Sequence, residues 1–353
     1  MQPFTKTTIL PYLQKNVFKH LDFIKKGELN DFKIAASGLV SQVYRIVVDG
    51  TPFYIKQAIP GAQKYLKILK APADFNFIFN DKRQLAEAKA LRIFEQAVGC
   101  GIAPHIYYHD TKNMIMVISA VGGQKAKLFE DTISQEISLF ASEKLAEIAA
   151  KLVNNTYGKI KPLRSISADK KIKYTKLKYQ CLEVYNNLDH HLKNFVKKAQ
   201  LKLVEESMKI DKVLVHGDYH PRNILVNNLR VATVDLEEAH LGDPAFDIGI
   251  LLGSYLLRAE YHKKIRKKAI KSVLNMTKIF FDKVNIPEDK HKLEERIKKH
   301  AGGLMLCRID GISSRWTQWI KRESAKKSIR THASSLILDE KNSLYDLIKQ
   351  IYY

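Results

Sequence analysis

The spacing of apolar residues in the first 121 positions changes from a helical period to a strand period. Apolar residues recur every three or four positions near the start, which predicts one or two amphipathic helices between residues 3 and 32. Alternating apolar and polar residues follow, and the Asp49-Gly50 pair between two such stretches is a strong signal for a hairpin. The pattern predicts a five-stranded antiparallel sheet with one inserted helix: the helix over 82–97, and strands over 32–36, 43–48, 52–57, 106–109 and 114–119.

A pair of glycines, Gly122-Gly123, interrupts this pattern and predicts a domain boundary. The predicted domains are residues 1–121 and 122–353. Helical spacing predominates in the second domain, over 132–154, over 170–209 and from 246 to the end. An island of β-type sequence interrupts the helices, with short apolar runs at 213–215, 224–226 and 231–234. The fold class predicted from these elements is α+β.

Composition supports a folded chain of about two domains. The 353 residues are 45% hydrophobic, which excludes disordered and collagen-like chains because enough apolar surface is present to form a core. No stretch approaches the roughly 20 apolar residues of a membrane helix, and the start lacks an apolar signal core, so we expect no membrane association and a cytoplasmic location. Cys100, Cys181 and Cys307 lie far apart and are predicted to be buried, reduced core residues.

The net charge of +22 is the most unusual feature of the composition. Such a charge is compatible with nucleic acid, an anionic membrane or an anionic substrate. Only 13 of the 59 basic residues are Arg, whereas dedicated phosphate readers favour the bidentate Arg side chain. Residues 1–120 carry 16 basic and 9 acidic side chains, so the excess is not confined to one tail. We therefore interpret most of it as a solvated lysine-rich surface and expect nucleic-acid binding to be unlikely.

The β-type island carries the residues with chemical potential. Its loop reads His216-Gly-Asp218-Tyr-His220-Pro-Arg222-Asn223, and its last strand ends in Asp235-Leu-Glu237. Carboxylate and amide oxygens at strand ends, on loops beside a core, are the ligands that Mg²⁺ prefers. A carboxylate beside such a metal can also accept a proton from an attacking hydroxyl.

This arrangement resembles the catalytic and metal loops of the protein-kinase-like fold. The HGDxHxxN form, and the later Gly242-Asp-Pro-Ala-Phe-Asp247, are similar to those of the aminoglycoside phosphotransferase, choline kinase and methylthioribose kinase superfamily. The Asp-x-Glu element most resembles methylthioribose kinase. The resemblance spans roughly residues 30 to 256 and implies two lobes, a small N-terminal lobe with the five-stranded sheet and one helix, and a larger, mainly helical C-terminal lobe.

The resemblance assigns roles to the loop residues. Asp218 matches the catalytic Asp, which orients the acceptor hydroxyl or acts as its general base. Asn223 and Asp235 match the metal ligands, and Glu237 matches the second acid of the Asp-x-Glu variant, which holds metal or positions phosphate. His216, Asp243 and Asp247 are interpreted as structural residues. The cofactors that the resemblance implies are ATP and Mg²⁺.

On the nucleotide side, Lys56 matches the strand-three Lys that neutralises the α- and β-phosphates. Glu87 matches the helix acid that pairs with it, although Glu95, eight residues on, is an alternative partner. Ser119 to Val121 match the backbone hinge that contacts adenine. The phosphate loop is weak, since of its usual glycines only Gly38 is present; it places Ser37, Gly38 and Ser41 near the nucleotide.

The acceptor side is the least defined part of the sequence. His220 either touches the substrate or packs beside the loop, and Arg222 either binds phosphate or points to solvent. Arg308 is a further candidate for the acceptor site, because it lies next to a turn-containing break in a helical region. Residues 255 to 300 hold 14 Lys or Arg against 6 Asp or Glu, which argues against polycationic acceptors such as aminoglycosides.

The function predicted from the resemblance is transfer of the γ-phosphoryl group of ATP to a hydroxyl of a small metabolite, a sugar or sugar-like alcohol. Two alternatives stay open: an antibiotic or protein kinase on the same fold, and a non-catalytic basic binding protein. The intact set of Lys56, Asp218, Asn223 and Asp235 speaks against the last. The acceptor's identity and the oligomeric state are not indicated by the sequence.

Overall fold

The computed structural model describes residues 3–37, 41–59, 83–123, 125–159, 170–185 and 187–353. The chain forms two compact units. The first is Met1–Gly123 with Asp235–Glu238, and the second is Gln124–Val234 with Ala239–Tyr353. The sequence predicts one boundary, at residue 121, and that prediction does not include the assignment of Asp235–Glu238 to the first unit. The predicted division stays a proposal.

The described residues of the first unit form a five-stranded antiparallel sheet. Its strands are β1 (Leu29–Ser37), β2 (Ser41–Val48), β3 (Thr51–Ala58), β4 (Ile106–Asp110) and β5 (Ile115–Ser119). They lie in the order β1-β2-β3-β5-β4. Asp49 and Gly50, between β2 and β3, have φ angles of 48° and 76°, the left-handed pair that a two-residue type I′ hairpin requires. The predicted sheet and hairpin are confirmed.

Among the described residues of this unit, two helices accompany the sheet, α1 (Lys6–Asn16) and α2 (Arg83–Val98). The expected helices between residues 3 and 32 are wrong beyond the first: after α1 only a short 3-10 turn, Phe18–His20, precedes β1. The reason is the carboxylate of Asp49, which accepts hydrogen bonds of 2.7–3.0 Å from consecutive backbone N–H groups that a helix would have used internally. Those groups belong to Lys25, Lys26, Gly27 and Glu28.

The second unit is mainly helical. Its described residues form the helices α3 (Phe129–Ile133), α4 (Leu139–Thr156), α5 (Lys170–Leu177), α6 (His190–Lys209), α7 (Phe246–Tyr261), α8 (Arg266–Lys283), α9 (Lys290–Asp310), α10 (Glu323–Leu338) and α11 (Leu344–Tyr352). The helix expected over 132–154 is observed as α3 and α4. Ser138 separates them, because its hydroxyl accepts a hydrogen bond from the backbone N–H of Ala141 and so begins a new helix.

Short strands lie between α6 and α7 and just before α3. They are β6 (Lys127–Leu128), β7 (Val213–Val215), β8 (Ile224–Val226), β9 (Val231–Thr233) and β10 (His240–Gly242). β8 pairs with β6 and β9, and β7 pairs with β10. The three predicted strands are confirmed. β6 and β10 were not predicted, because each contains only one large apolar residue, Leu128 and Leu241, and so lacks the apolar runs that marked the other three.

The buried helix α7 supports the loops of the β-type island. Its residues from Phe246 to Glu260 are all buried. Helix α9 packs closely against it at Gly249 and Gly253, where an added Cβ would lie 2.6 Å from the Cβ of His300 and 2.7 Å from the carbonyl oxygen of Ala301. Larger residues at these two positions would force the helices apart.

The cysteines depart in part from the prediction. Cys181 and Cys307 are free and buried, as expected, but Cys100 is exposed. Cys100 lies in the turn after α2, between Gly99 and Gly101, both of which have positive φ angles, so its side chain stands outside the core. Among the described residues, no helix is both long and apolar enough to cross a membrane.

Candidate active site

Lys56 of β3 is the centre of a charged cluster in the first unit. Its neighbours Phe53 and Ile55 are buried in the apolar core. Lys56 lies in register opposite Met116 of β5, and its ammonium group is also buried. Its Nζ donates to Glu87 Oε1 at 2.8 Å, to Asp235 Oδ1 at 2.6 Å and to Glu237 Oε2 at 3.1 Å. Burial of an ammonium group is tolerated here because three carboxylates surround it.

Helix α2 supplies the partner on one side of Lys56. Glu87 has a side chain only 3% exposed. The structure brings Lys56 to Glu87 and not to Glu95, which instead accepts a hydrogen bond from His105 at 2.9 Å. Position 87 meets the strand because it shares the buried face of α2 with Ala88, Leu91 and Phe94.

Gln84 and Arg83, two residues of α2 that were not predicted from the sequence, also contact the cluster around Lys56. The Gln84 side-chain amide donates to the carbonyl oxygen of Lys56 at 2.9 Å, and Arg83 Nε donates to the carbonyl oxygen of Glu237 at 3.0 Å. Both side chains are buried, as is that of Glu87. A signal for them is present in the sequence: the first, second and fifth residues of α2 are polar, on a helix face that is otherwise apolar.

The Asp235-Leu-Glu237 segment presents two carboxylates to Lys56 from one side. Leu236 between them is fully buried and anchors the segment. Asp235 has a φ of 68°, a left-handed conformation that is unfavourable for most non-glycine residues and is concentrated at functional sites. The segment therefore adopts a strained turn that aims both acids at one cation.

The electrostatics of this cluster favour a cation. Burial opposes the charge on Lys56, but the carboxylates of Asp235, Glu237 and Glu87 outweigh it and hold the pKa of Lys56 well above its usual range. Burial, together with the nearby Asp235 carboxylate, raises the pKa of Glu237 to about 8. Burial also raises the pKa of Glu87, against the pull of Lys56. One lysine therefore does not fully compensate the negative charge of these three neighbouring acids.

The donor set of these acids fits a hard divalent cation. Carboxylate oxygens of Glu87, Asp235 and Glu237 lie within 4.8 Å of one another. Oε2 of Glu87 is buried without a hydrogen-bond partner among the described residues, so part of the negative charge of this cluster is not satisfied by hydrogen bonds. Oxygen-only ligands in partial excess over the local positive charge are typical of Mg²⁺ sites.

Asp218 of the second unit lies in the loop between β7 and β8. Both of its carboxylate oxygens have partners. Oδ2 accepts from Asn223 Nδ2 at 3.0 Å, and Oδ1 lies 3.2 Å from Lys176 Nζ and 3.1 Å from His220 Nε2. Lys176 was not predicted, and nothing distinguishes it in the sequence from the other lysines of α5. The carboxylate of Asp218 is therefore fixed in orientation.

The charge of Asp218 is also fixed. Burial would raise its pKa, but His220, Lys176 and Arg308 hold the pKa well below the usual range. Burial lowers the pKa of His220, whose Nδ1 accepts a hydrogen bond from the backbone N–H of Arg222 at 3.2 Å. His220 is thus a neutral imidazole that donates from Nε2 to Asp218, and Asp218 is an anion at neutral pH.

The backbone just before Asp218 is held by hydrogen bonds to Asp247 of α7. The Asp247 carboxylate accepts from the N–H groups of His216 at 2.7 Å and Gly217 at 3.1 Å. Gly217 has a φ of 85°, which its lack of a side chain permits. The ring of His216 bonds to Thr233 of β9 through Nε2 at 2.8 Å. These contacts agree with structural roles for His216 and Asp247.

The other predicted site residues of the second unit are Asn223, Arg222 and Arg308. Asn223 donates its amide N–H groups to Asp218, which leaves its side-chain oxygen, the atom by which amides bind metals, outside these hydrogen bonds. Arg222 is exposed and lies over the ring of Trp316, 4.5 Å from its centroid. Arg308, half-buried in α9, is close enough to Asp218 and His220 to lower the pKa of each.

The remaining nucleotide candidates are less well defined. Ser119 ends β5, and its hydroxyl accepts a hydrogen bond from the backbone N–H of His105 at 2.9 Å; Val121, two residues on, is half-buried. Ser41 is buried at the start of β2, and Ser37 ends β1. Gly38 lies outside the described residues. These positions, unlike Lys56 and Glu87, carry no contact that by itself indicates a ligand.

A comparison with protein families identifies one match. The family model APH, described as a phosphotransferase enzyme family, matches residues 32–269. No curated protein matches the sequence. A match over this much of the chain agrees with the resemblance that the loop motifs indicated. The closer likeness to methylthioribose kinase stays a prediction.

Solved structures agree in architecture. A choline/ethanolamine kinase family protein from Mesorhizobium loti has a TM-score of 0.51 at 15% identity, covering 92% of each chain. The GDP and kanamycin complex of APH(2")-IIia has a TM-score of 0.50 at 14% identity, covering 91% of this chain and 97% of that one. A GDP complex of a mutant aminoglycoside 2'-phosphotransferase-IIIa has a TM-score of 0.51 at 13% identity, covering 91% and 96%. At these identities the likeness establishes the fold, and it confirms the predicted kinase-like architecture.

Proposed function

The chain belongs to the APH phosphotransferase enzyme family and is a small-molecule kinase, and on that premise we propose a specific reaction. The enzyme transfers the γ-phosphoryl group of ATP, with Mg²⁺, to a hydroxyl of a small metabolite, a sugar or a sugar-like alcohol. The observation that carries this proposal is the contact of one buried ammonium group, Lys56, with the three carboxylates of Glu87, Asp235 and Glu237.

The cluster around Lys56 suits a polyphosphate. A lysine ammonium is a compact charge that neutralises phosphate oxygens, and Glu87 fixes its position through a bond between two buried groups. Gln84 fixes the backbone of Lys56, and Arg83 fixes that of Glu237. The geometry of the cation is therefore set before a nucleotide arrives, which lowers the cost of binding it in a reactive arrangement.

In the first unit, Asp235 and Glu237 would hold Mg²⁺; in the second unit, Asn223 matches the family's remaining metal ligand. Bound there, the ion would neutralise charge that develops on the phosphate oxygens during transfer. The buried, unpaired Oε2 of Glu87 and the closely spaced oxygens of Asp235 and Glu237 support a cation in this part of the chain. Glu87 we assign to Lys56 rather than to the metal.

Asp218 is the residue that we propose to act on the acceptor. The acceptor oxygen forms a bond to the γ-phosphorus while the bond from that phosphorus to the bridging oxygen breaks, so that ADP leaves. The acceptor's proton passes to Asp218, if Asp218 is the general base, or to solvent, if Asp218 only orients the hydroxyl. An ionised carboxylate held in place by Asn223, Lys176 and His220 can orient that hydroxyl throughout the transfer.

The acceptor class follows from the charge beside Asp218. Lys176, Arg222 and Arg308 are all cations, so a polycationic antibiotic would meet like charges there. The antibiotic and protein-kinase alternatives are therefore less favoured than a neutral or acidic hydroxyl compound. A non-catalytic binding protein has no need for an ionised, fully oriented Asp218.

The test is a panel of hydroxylated metabolites incubated with γ-labelled ATP and Mg²⁺, scored for labelled product. We expect at least one sugar or sugar-like alcohol to be phosphorylated, and we expect Asp218→Ala to abolish the product. GTP should be run beside ATP, because the structural neighbours APH(2")-IIia and aminoglycoside 2'-phosphotransferase-IIIa are described as GDP complexes.

Nucleotide binding is measured separately by the shift in thermal midpoint that a ligand of the folded state produces. Arg230→Gln, an exposed change in the turn after β8, is the matched control and should leave both measurements unchanged. If neither nucleotide raises the midpoint and no acceptor is labelled, the kinase proposal is wrong.

A further inference from the structure

Three arginines beside the catalytic loop form a group that the proposed reaction leaves unexplained. Arg222 lies in the loop itself, Arg308 in the last turn of α9, and Arg315 in the 3-10 turn that follows α9. We call Arg222, Arg308 and Arg315 the arginine cluster. The guanidinium groups of Arg222 and Arg315 lie 4.5 Å and 5.3 Å from the ring centroid of the same residue, Trp316.

The cluster lacks carboxylate partners among the residues that the structure describes, whereas three other arginines of this unit each have at least one. Arg258 pairs with Glu130, Arg296 with Asp243, and Arg330 with Asp310. Among the described residues, neither Arg222 nor Arg308 nor Arg315 forms an ion pair. The Nε of Arg315 is buried and has no hydrogen-bond partner in the described part of the chain. A desolvated donor of this kind is costly unless a ligand satisfies it.

The cluster is also tied to Asp218. Arg222 follows Asp218 by four positions, and its backbone N–H is held by His220, the imidazole that bonds to Asp218. The Thr317 hydroxyl donates to the carbonyl oxygen of Arg308, which joins the turn carrying Arg315 and Trp316 to α9. Arg308 in turn acts electrostatically on Asp218.

Lys176 and Arg308 thus act on one anion, Asp218, while Arg222 and Arg315 lie at Trp316, next in sequence to the Thr317 that bonds to Arg308. Lys176 bonds directly to Asp218 and compensates its charge, so the three arginines are in excess. Like charges brought together in a partly buried region repel one another, and an anionic ligand would relieve that repulsion. Arginine binds carboxylate and phosphate groups through two parallel hydrogen bonds, which a lysine-rich surface does not offer.

We propose that the acceptor carries a carboxylate or phosphate group in addition to its reactive hydroxyl, and that the arginine cluster binds this group beside Trp316. This inference rests on the proposed kinase function and narrows its substrate class. The anionic group anchors the acceptor, and the hydroxyl reaches Asp218. Trp316, 43% exposed, supplies a flat apolar wall for the carbon skeleton between the two.

The first test compares acceptors in matched pairs, one neutral and one anionic: ribose with ribose 5-phosphate, and glycerol with glycerate. The phosphate and carboxylate arms distinguish the two kinds of anion. We expect the anionic member of at least one pair to have a kcat/KM about ten-fold to one hundred-fold higher, as expected for one or two charge-assisted hydrogen bonds. Arg308→Gln should reduce this ratio toward one, whereas Arg230→Gln, an exposed arginine outside the cluster, should leave the ratio unchanged.

The second test needs no turnover. Trp316 and Trp319 are the chain's two tryptophans, so a Trp319→Phe variant reports on Trp316 alone. Inorganic phosphate or acetate, titrated against sodium chloride of equal ionic strength, should change the Trp316 fluorescence in a saturable manner as Arg222 and Arg315 move toward the anion. Adding Arg222→Gln should weaken that response.

The outcomes separate this inference from the kinase proposal. If the neutral member of each pair is phosphorylated as well as its anionic partner, the inference is overturned while the kinase function stands. If Arg308→Gln raises the KM for ATP but leaves the preference between acceptors intact, the cluster serves the nucleotide and the inference is wrong. If no acceptor is labelled, the fluorescence titration decides, and a response no different from that of chloride overturns it.

Discussion

The side-chain amide of Asn223 donates hydrogen bonds to both the carboxylate and the backbone carbonyl of Asp218, each at 3.0 Å. The two residues are five positions apart, and the 3-10 turn Pro221–Asn223 between them brings the amide back to the start of the loop. With Lys176 and His220 on the other carboxylate oxygen, the carboxylate of Asp218 is held in one orientation. Substitutions of Asp218 and of Lys176 therefore test this arrangement.

Asp218→Asn should reduce phosphoryl transfer by about 10²–10⁴-fold, the usual contribution of a positioned general base. The amide has nearly the same shape but carries no charge and accepts no proton. Steady-state kinetics with the acceptor found in the panel measures the effect. The thermal midpoint and nucleotide binding should stay close to those of the wild-type protein, and a variant that keeps more than a tenth of the activity would exclude Asp218 as the base.

Lys176→Met should move the acid limb of the kcat/KM profile to higher pH. Burial raises the pKa of Asp218, and Lys176 is one of the groups that outweigh burial and lower it. Removal of this cation therefore raises that pKa, and the active, ionised form is lost at a higher pH than before. The profile is measured from pH 4 to pH 9. Lys202→Met, which removes an exposed lysine of α6 near Glu206, is the matched control and should leave the acid limb in place.

Lys56→Met should destabilise the first unit by about 3–5 kcal/mol, the cost of leaving buried charges without their partner. Glu87, Asp235 and Glu237 would then face one another without a cation. Urea denaturation followed by circular dichroism gives the change. Glu87→Gln in the same chain should restore part of the lost stability, because it removes one of the buried acids left without a cation. Equal stability of the single and double variants would contradict this account.

Asp247 should make the stability of the protein fall as the pH rises toward neutrality. Burial raises the pKa of Asp247 to about 7, although the N–H groups of His216 and Gly217 oppose the shift. The folded state then binds a proton that the unfolded state, with a pKa near 3.8, has released. The stabilisation is full below pH 3.8 and is lost as the pH rises through about 7. Over the whole window the change is about 4 kcal/mol.

The measurement is the difference in free energy of unfolding between wild type and Asp247→Asn, from pH 4.5 to pH 8. Asparagine does not titrate, so the wild type should lose stability relative to the variant as the pH increases. Taking the difference cancels the other titrating groups. A difference that stays flat across this range would show that Asp247 is ionised in the folded state throughout.

The loop that carries Asp218 can be recognised in the sequence because its polar residues are local, and its catalytic role stays a prediction. The order of polar residues from His216 to Asn223, between two short apolar strands, is contiguous in the chain, and so is Asp235-Leu-Glu237. Lys56 could be found in the same way, since a charge inside an otherwise apolar strand is visible along the chain. The sheet could be predicted because its strands alternate and its hairpin has a specific turn.

Other features depended on distant partners. The helical spacing before β1 did not produce a second helix, because Asp49 takes the N–H groups of residues 25–28. The choice of Glu87 over Glu95 as the partner of Lys56 depended on which turn of α2 reaches β3. Lys176 resembles every other lysine of its helix until α5 is placed beside Asp218.

The sequence by itself thus determined the strands of the five-stranded sheet and the motifs that indicate the phosphotransferase family, because period and spacing are properties of neighbouring residues. Only the tertiary structure decided how the charges are matched. It paired Lys56 with three acids, fixed Asp218 with Asn223 and Lys176, and left Arg222, Arg308 and Arg315 without carboxylate partners among the described residues. The physical reason is that the energy of a charge depends on its burial and on the charges around it, and folding determines both.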